Sequence, residues 1–214
     1  MKILYISKLE GYNWLGPTHS VPMQIKHQAE LDDVLWINLC PSIHEDWKQL
    51  SYYREMKEGL SVKFQDLPKE FQEPDIVVFE GVYEYPFAAI VSEIWKRKIP
   101  YVIVPRSALT KDAQKKKAVK KIFGNFLFFG KFIRKATAIH YLTQAEQEDS
   151  KVWKTNSFVI PNGMLPKERI KTQFFHDGKL IFNYVGRVEK YQKGLDLLMK
   201  ACARILPALH RYVP

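Results

Sequence analysis

Residues 75–105 read DIVVFEGVYEYPFAAIVSEIWKRKIPYVIVP, and this stretch decides the fold. It begins with an apolar run at 75–80, continues with a segment of helical character at 86–98, and ends with a second apolar run at 100–105. Both runs are continuous rather than alternating, which is typical of strands that are covered on both faces. A strand, a helix and a strand in this order predict two parallel strands of one sheet.

The same alternation extends over most of the chain. Further strands are predicted at 2–7, 34–39, 136–142, 157–160 and 180–185, with a weaker one at 61–65. Further helices are predicted at 20–31, 111–135, 144–153 and 193–206. Together they predict an α/β fold, a Rossmann-like and mostly parallel sheet with helices on both faces.

The turn Pro161-Asn162-Gly163 marks the end of the first unit, because asparagine and glycine tolerate positive φ. We predict one domain over 1–165, a polar linker over 166–178 and a short unit over 179–214. The last unit contains one predicted strand and one predicted helix. These two elements are too few to build a separate core.

Composition narrows the class of protein. Hydrophobic residues make up 46% of the 214 residues, which excludes intrinsic disorder as the main description. The apolar run at the N-terminus is short and reads as a first strand, not as a signal peptide, and two cysteines make no disulfide framework and no zinc site. We expect a cytoplasmic protein. Any attachment to a membrane is expected to be peripheral and on the inner face.

The net charge of +10 is unevenly distributed. Residues 1–107 contain 12 basic and 15 acidic side chains, whereas residues 108–214 contain 21 and 8. Segment 111–135 alone has nine basic residues against Asp112. Its apolar residues are interleaved with lysines, a mixture suited to an anionic bilayer surface, although a solvated lysine face is an open alternative. Nucleic acid is disfavoured because no recognised motif accompanies the charge. The candidate membrane-surface residues are Lys115, Lys116, Lys117, Lys120 and Lys121.

The loop 186–194 lies between a predicted strand and a predicted helix, where open α/β sheets bind ligands. Arg187 and Lys193 lie within this loop, and cationic side chains beside the start of a helix favour the binding of a diphosphate. A solvated, charged loop is the alternative. Neither G-x-G-x-x-G nor the Walker pattern occurs in the sequence. Because a nicotinamide-dependent oxidoreductase would need the first of these after its first strand, we rank that function last among the alternatives.

Two further residues have simple structural interpretations. His140, at the end of an apolar strand, is expected to be a hydrogen-bonded core histidine, and Glu146 is expected to complete a capping box with Thr143. The remaining histidines show no metal-ligand spacing, so we predict no metal site.

A series of motifs occurs in a fixed order along the chain. It consists of Pro105-Arg106-Ser107-Ala108-Leu109, the lysine-rich helix, 138–146, Val159-Ile160-Pro161-Asn162-Gly163-Met164, Tyr184-Val185-Gly186-Arg187 and Lys193-Gly194-Leu195-Asp196. The series resembles the retaining glycosyltransferases of family 4. The resemblance implies half of a GT-B architecture, in which an N-terminal domain binds the acceptor and a C-terminal domain binds a nucleotide-sugar donor. Residues 1–165 correspond to the acceptor-side domain, and 179–214 to the first strand and helix of the donor-binding domain.

The resemblance also assigns roles to single residues. Arg187 and Lys193 match the pair that neutralises the donor diphosphate as the sugar departs. Gly16 matches the glycine region near the donor, although the family usually has two adjacent glycines and this chain has Leu15-Gly16-Pro17. Arg106 and His19 are candidate cleft or acceptor residues.

One departure from the family concerns activity. Its E-x7-E pair, which contacts the donor sugar and ribose, has no counterpart in the 214 residues. We therefore expect a truncated enzyme that is inactive alone, whose intact form transfers a hexose to a saccharide or lipid-linked acceptor without a cofactor or metal. The alternative is a non-catalytic module that binds acceptor or membrane and works with a separate donor-binding chain.

Overall fold

The computed structural model describes residues 1–57, 60–164, 175–176, 179–180, 184–185 and 194–209. The chain divides into two compact units, Met1–Met164 and Leu165–Pro214. Of the predicted linker the structure describes only residues 175–176, and of the predicted donor-domain start residues 179–180, 184–185 and 194–209. Both assignments stay predictions.

Seven parallel strands form the sheet of the first unit, in the order β3-β2-β1-β4-β5-β6-β7. The strands are β1 Lys2–Ser7, β2 Asp33–Asn38, β3 Tyr53–Glu55, β4 Ile76–Glu80, β5 Tyr101–Val104, β6 Ala138–Tyr141 and β7 Ser157–Val159. The strand order reverses on either side of β1, as in Rossmann-like folds. The predicted α/β class and its parallel sheet are confirmed.

Helices connect the strands. In the first unit these are α1 Gly16–Gln28, α2 Glu45–Lys48, α3 Phe87–Arg97, α4 Lys111–Lys115, α5 Ala118–Gly124, α6 Gly130–Arg134 and α7 Gln144–Asp149. Short 3₁₀ turns lie at Phe64–Asp66, Lys69–Phe71 and Lys151–Trp153.

The sheet is buried on both faces. Leu4 and Ile6 of β1 pack with residues of α3 and α6 on one face. Ile3 and Tyr5 of the same strand pack with residues of α1 on the other face. Each fully buried aliphatic side chain contributes roughly 1.5–3 kcal/mol. Burial on both faces explains why the strands read as continuous apolar runs.

Two predictions for the first half of the chain were wrong. The weaker strand at 61–65 is absent: Phe64–Asp66 forms a 3₁₀ turn, in which the Asp66 carboxylate accepts the N–H of Lys63 at 2.9 Å. The strand that pairs with β2 is β3 instead, at Tyr53–Glu55. Helix α1 begins at Gly16 rather than at residue 20, because Pro17 in its first turn has the φ that a helix start requires.

The lysine-rich segment forms two helices rather than one. Lys117 has a φ of 53°, which separates α4 from α5. From Ala118 the helix continues to Arg134 through a π-helical turn, Asn125–Phe129, in which the N–H of Gly130 reaches the carbonyl of Asn125. Only glycine allows this close approach, because a Cβ at Gly130 would lie 2.5 Å from the carbonyl oxygen of Asn125.

Little of the second unit is described. Two short strands, β8 Phe175–His176 and β9 Lys179–Leu180, pair antiparallel, and β8 lies within the predicted linker. Tyr184 and Val185, at the end of the predicted strand 180–185, belong to no strand or helix. Helix α8, Leu195–Leu209, begins two residues after the predicted start and extends three beyond the predicted end.

We predict that Gly130→Ala destabilises the protein by roughly 1–3 kcal/mol, because the new methyl group would overlap a backbone oxygen in a packed interior. This loss exceeds the intrinsic preference of helices for alanine, which is about 1 kcal/mol. Gly163→Ala is the control, since a Cβ there meets no atom within 4 Å. Urea unfolding of both variants measures the difference, and equal free energies of unfolding would contradict the packing described for the π-helical turn.

Candidate functional site

Three neighbouring strands end in polar residues at the same edge of the sheet. Ser7, Asn38 and Glu80 are the last residues of β1, β2 and β4, and Ser7 is in register with both others. All three are buried. They lie at the carboxyl edge, where the strand order reverses and open α/β sheets bind ligands. We refer to this region as the carboxyl edge.

The side chain of Asn38 holds the loop that follows β1. Its Oδ1 accepts the N–H of Leu9 at 2.8 Å and the hydroxyl of Ser7 at 2.9 Å. Its Nδ2 donates to the carbonyl of Leu9 at 2.8 Å and to that of Cys40 at 2.9 Å. Because every one of these groups is paired, the loop leaves the sheet in one fixed direction.

The loop after β1 reaches the start of α1 through a close turn. Gly11 has a φ of 89°, and a Cβ there would lie 2.6 Å from the hydroxyl oxygen of Ser42. At the other end of the loop, Leu15 caps α1 without a side-chain hydrogen bond. A Cβ at Gly16 would meet no atom within 4 Å. Open space therefore lies beside Gly16 in the first turn of α1, where the N–H of Thr18 already donates to the carbonyl of Leu15 at 3.1 Å.

Two aromatic rings form an exposed platform in this loop. Tyr12 and Trp14 stack with their ring centroids 4.5 Å apart, and Trp14 is 63% exposed. His19, a predicted acceptor residue, lies beside the platform, with Nε2 2.8 Å from the carbonyl oxygen of Asn13. The sequence analysis named His19 as a candidate but did not name Tyr12 and Trp14. The usable signal was two aromatic residues close to a glycine in a loop.

The predicted cleft residue Arg106 is held by a buried carboxylate. Its Nε and Nη2 both lie 2.8 Å from Oε2 of Glu80, and its Nη1 donates to the hydroxyl of Ser20 on α1 at 3.0 Å. The Glu80 side chain has no exposed surface, and that of Arg106 is 12% exposed. The other carboxylate oxygen of Glu80, Oε1, is buried and makes no hydrogen bond with the described residues.

Burial dominates the electrostatics of Glu80. Desolvation raises the pKa of this carboxyl above its usual range, while the charges of Arg106 and His140 oppose the rise. Sequence reasoning did not single out Glu80, although an acidic residue that ends an otherwise apolar strand is a usable signal.

The backbone at Arg106 is strained and supported by a side chain of α7. Arg106 and Ser107 have φ values of 49° and 67°, in the left-handed region that costs most residues about 1–2 kcal/mol. The carboxylate of Glu146 accepts the N–H of Ser107 and also that of Leu142, the latter at 3.0 Å. Such strain persists only where the surroundings enforce it, and it concentrates at functional sites.

This geometry corrects half of the capping box predicted for Glu146. Thr143 caps α7 by accepting the N–H of Glu146 at 3.1 Å, as expected. The Glu146 carboxylate does not accept the N–H of Thr143. It accepts the N–H groups of Ser107 and Leu142 instead, and so connects the loops after β5 and β6. The expectation for His140 is confirmed, since it is buried with Nε2 2.8 Å from the carbonyl oxygen of Ile160.

A second ion pair joins the loops after β1 and β4. Lys8 Nζ lies 3.6 Å from Oε2 of Glu84, whose pKa is raised by burial and lowered in part by Lys8. Lys8 and Arg106 are thus both paired with carboxylates. The carboxyl edge thus offers a helix start and an aromatic platform rather than surplus positive charge.

The predicted donor-diphosphate residues, Arg187 and Lys193, lie outside the described residues. Of the predicted membrane-surface lysines, Lys116, Lys117 and Lys120 are exposed, and Lys115 pairs with Asp112 at 2.8 Å. Lys121 differs from them. Its ammonium donates to the carbonyl of Ala113 and lies 4.9 Å from the ring centroid of Tyr83, and burial lowers its pKa.

The chain matches no protein-family model, no curated protein and no solved structure. Within the described ranges, no group of three or more His, Cys, Asp or Glu side chains could hold a metal ion. No helix in that part of the chain is long and apolar enough to cross a bilayer.

We predict that Glu80→Ala destabilises the protein by about 3–5 kcal/mol, because it leaves the Arg106 charge buried without its partner. Adding Arg106→Ala should cost less than the sum of the single changes, since the uncompensated charge is then removed. Glu148→Ala is the control: it breaks an exposed pair with Lys151 and should cost at most about 0.5 kcal/mol. Denaturant unfolding of the four variants checks this, and additive single changes would refute the coupling.

Proposed function

We propose that this chain is the acceptor-side part of a retaining glycosyltransferase, which transfers a hexose from a nucleotide sugar to a saccharide or lipid-linked acceptor in the synthesis of a surface polysaccharide or glycolipid. The observation that carries the proposal is the ordered series of motifs from Pro105 to Asp196, which resembles family 4. The Rossmann-like sheet is compatible with it, although fold alone does not determine function.

The chemistry of the carboxyl edge supports an acceptor more than a donor. A nucleotide diphosphate needs unpaired positive charge, whereas Lys8 and Arg106 are each paired with a carboxylate. A sugar needs hydrogen-bonding groups and a flat apolar surface, and Trp14 offers such a surface. On this proposal the donor diphosphate is bound by Arg187 and Lys193.

A second candidate is a non-catalytic module that binds acceptor or membrane and works with a separate donor-binding chain. It is favoured by one observation, the row of exposed apolar side chains on α5 and the following turn, which is a binding feature rather than a catalytic one. The two candidates share the acceptor and differ in whether sugar is transferred.

Transfer and binding are separable by experiment. The chain is incubated with ¹⁴C-labelled UDP-glucose, UDP-galactose or GDP-mannose and a short-prenyl diphosphate disaccharide, and label in the lipid fraction is counted. Transfer with retained anomeric configuration supports the enzyme. Both candidates predict that this chain alone binds the disaccharide without transferring sugar, because the enzyme is expected to be inactive alone. Calorimetric binding of the nucleotide sugar separates them, since the enzyme has donor-binding residues of its own and the module relies on a separate chain for the donor. An absence of disaccharide binding contradicts both candidates.

We predict that Gly16→Val weakens disaccharide binding at least about 10-fold, because the new side chain fills the open space at the start of α1. Its melting temperature should fall only a little, because Gly16 is exposed and a Cβ there meets no atom within 4 Å. Ser92→Val, at an exposed position of α3, is the matched control and should bind as the wild type does. Unchanged calorimetric affinity of Gly16→Val would exclude the start of α1 from the binding site.

A separate variant tests the donor side. Arg187→Ala combined with Lys193→Ala should weaken calorimetric binding of the nucleotide sugar at least about 10-fold and leave disaccharide binding within about twofold, because the fixed positive charge that pairs with the donor diphosphate is removed. A parallel loss of disaccharide binding would contradict the assignment of these residues to the donor.

A further inference from the structure

Five large apolar side chains on α5 and the π-helical turn point into solvent. They are Val119, Ile122, Phe123, Phe126 and Leu127, and each is between 66% and 87% exposed. Their spacing is i, i+3, i+4, i+7 and i+8, which places them on one face of a helix. We call this face the outer stripe. Exposed apolar side chains that are contiguous in this way mark an interaction surface, whereas single ones need no explanation.

The outer stripe is not a core face that happens to lie open. The residues that pack this helical segment on the sheet lie further along it, at the end of the π-helical turn and in α6: Phe129, Phe132 and Ile133, each at most 2% exposed. The segment therefore has apolar side chains toward the sheet and toward solvent. A helix at a water-facing surface normally has one apolar face, so the second requires a partner.

Positive charge surrounds the outer stripe. Segment 111–135 has nine basic residues and one acidic residue, and Lys116, Lys117 and Lys120 are exposed just before and within it. At the other end, Lys131 and Lys135 lie over the ring of Trp95, at 4.9 and 5.0 Å from its centroid. The partner must therefore be both anionic and able to bury aromatic side chains.

The helical segment is attached to the carboxyl edge. Tyr83, in the loop after β4, donates to Oε1 of Gln114 at 3.0 Å, and its ring lies 5.1 Å from that of Phe129. Tyr85 of the same loop lies 5.4 Å from Phe129 between ring centroids. A surface bound by the outer stripe would thus be adjacent to the loop that follows Glu80 and contains Glu84.

We propose that the outer stripe inserts into the interface of an anionic lipid bilayer, with the surrounding lysines on the headgroups. Apolar side chains gain free energy by leaving water, and each nearby lysine is attracted to the negative surface. This inference rests on exposure and charge and does not depend on sugar transfer, and it specifies the membrane contact named in the second candidate function. It supplies a reason for the proposed enzyme to use a lipid-linked acceptor.

A second copy of this chain is a poor occupant of the same face. An isologous dimer would bring two segments of nine basic residues together across one interface, where like charges repel. An anionic bilayer neutralises that charge instead. Dimerisation through the stripe is nevertheless a measurable outcome and would overturn the proposal.

The test uses co-sedimentation of the full chain with vesicles of phosphatidylcholine alone or of phosphatidylcholine and phosphatidylglycerol in equal parts. We expect binding to the anionic vesicles at least about 10-fold tighter than to the neutral ones, and weaker binding at 1 M salt, where the Debye length is about 3 Å. Equal binding to both vesicles, or no binding to the anionic ones, would overturn the proposal.

Two variants separate the apolar and the electrostatic contributions. Ile122→Ser combined with Phe126→Ser should weaken anionic-vesicle binding at least about 10-fold, because two apolar side chains no longer enter the interface. Lys116→Glu, Lys117→Glu and Lys120→Glu together should weaken it on the order of 100-fold. These side chains are exposed, so both variants should keep the wild-type unfolding midpoint.

Matched controls lie elsewhere on the surface. Leu31→Ser with Val152→Ser removes two exposed apolar side chains outside the stripe. Lys26→Glu, Lys69→Glu and Lys96→Glu together reverse three exposed lysines outside segment 111–135. The apolar control should bind like the wild type, and the charge control should bind more tightly than the stripe-lysine variant. The bilayer would be refuted as partner if the stripe variants bound anionic vesicles as well as their controls do. It would also be refuted if the wild type formed dimers and Phe126→Ser abolished them.

Discussion

The contact between Glu80 and Arg106 constrains everything around the carboxyl edge. A buried ion pair is tolerated only when its partners are held in good geometry, since the desolvation of each ion costs several kcal/mol. Glu80 ends β4, Arg106 follows β5 in a left-handed conformation, and Ser20 fixes the guanidinium to α1. One contact therefore sets the relative positions of two strand ends and one helix start, while Glu146 supports the same turn from α7.

This constraint has a functional consequence. Because Glu80 neutralises Arg106, the edge is left polar and partly aromatic instead of strongly positive. The strong positive charge of the chain lies beside it, on the helical segment that contains the outer stripe. The molecule thus separates two surfaces of different chemistry, and the loop at 81–86 contacts or borders both. In the proposed enzyme, the first surface binds a sugar and the second binds the bilayer that presents it.

Sequence periodicity predicted the sheet well except for the edge strand β3. Continuous apolar runs identify strands such as β1 and β4, because both faces of the sheet are covered. Strand β3 escaped prediction because Tyr-Arg-Glu is short and not apolar throughout. The start of α1 was missed because Gly16 and Pro17 are as typical of a loop as of a first helical turn. The partner of Glu80 is 26 residues away, and no local pattern encodes such a contact. For segment 111–135, composition indicated a basic and apolar mixture but not which apolar residues face the sheet; only packing distinguishes Phe132 from Phe126.

On the proposed function, a saccharide ligand binds at the carboxyl edge of β1 and β4. Amide chemical-shift mapping of the ¹⁵N-labelled chain, titrated with a short-prenyl diphosphate disaccharide, tests this directly. We expect the shifts to concentrate at Gly11, Gly16, Gly81 and Ser107, which lie in the loops after β1, β4 and β5 or at the start of α1. Shifts concentrated at Lys2, Asp33 and Tyr101, the first residues of β1, β2 and β5, would contradict it.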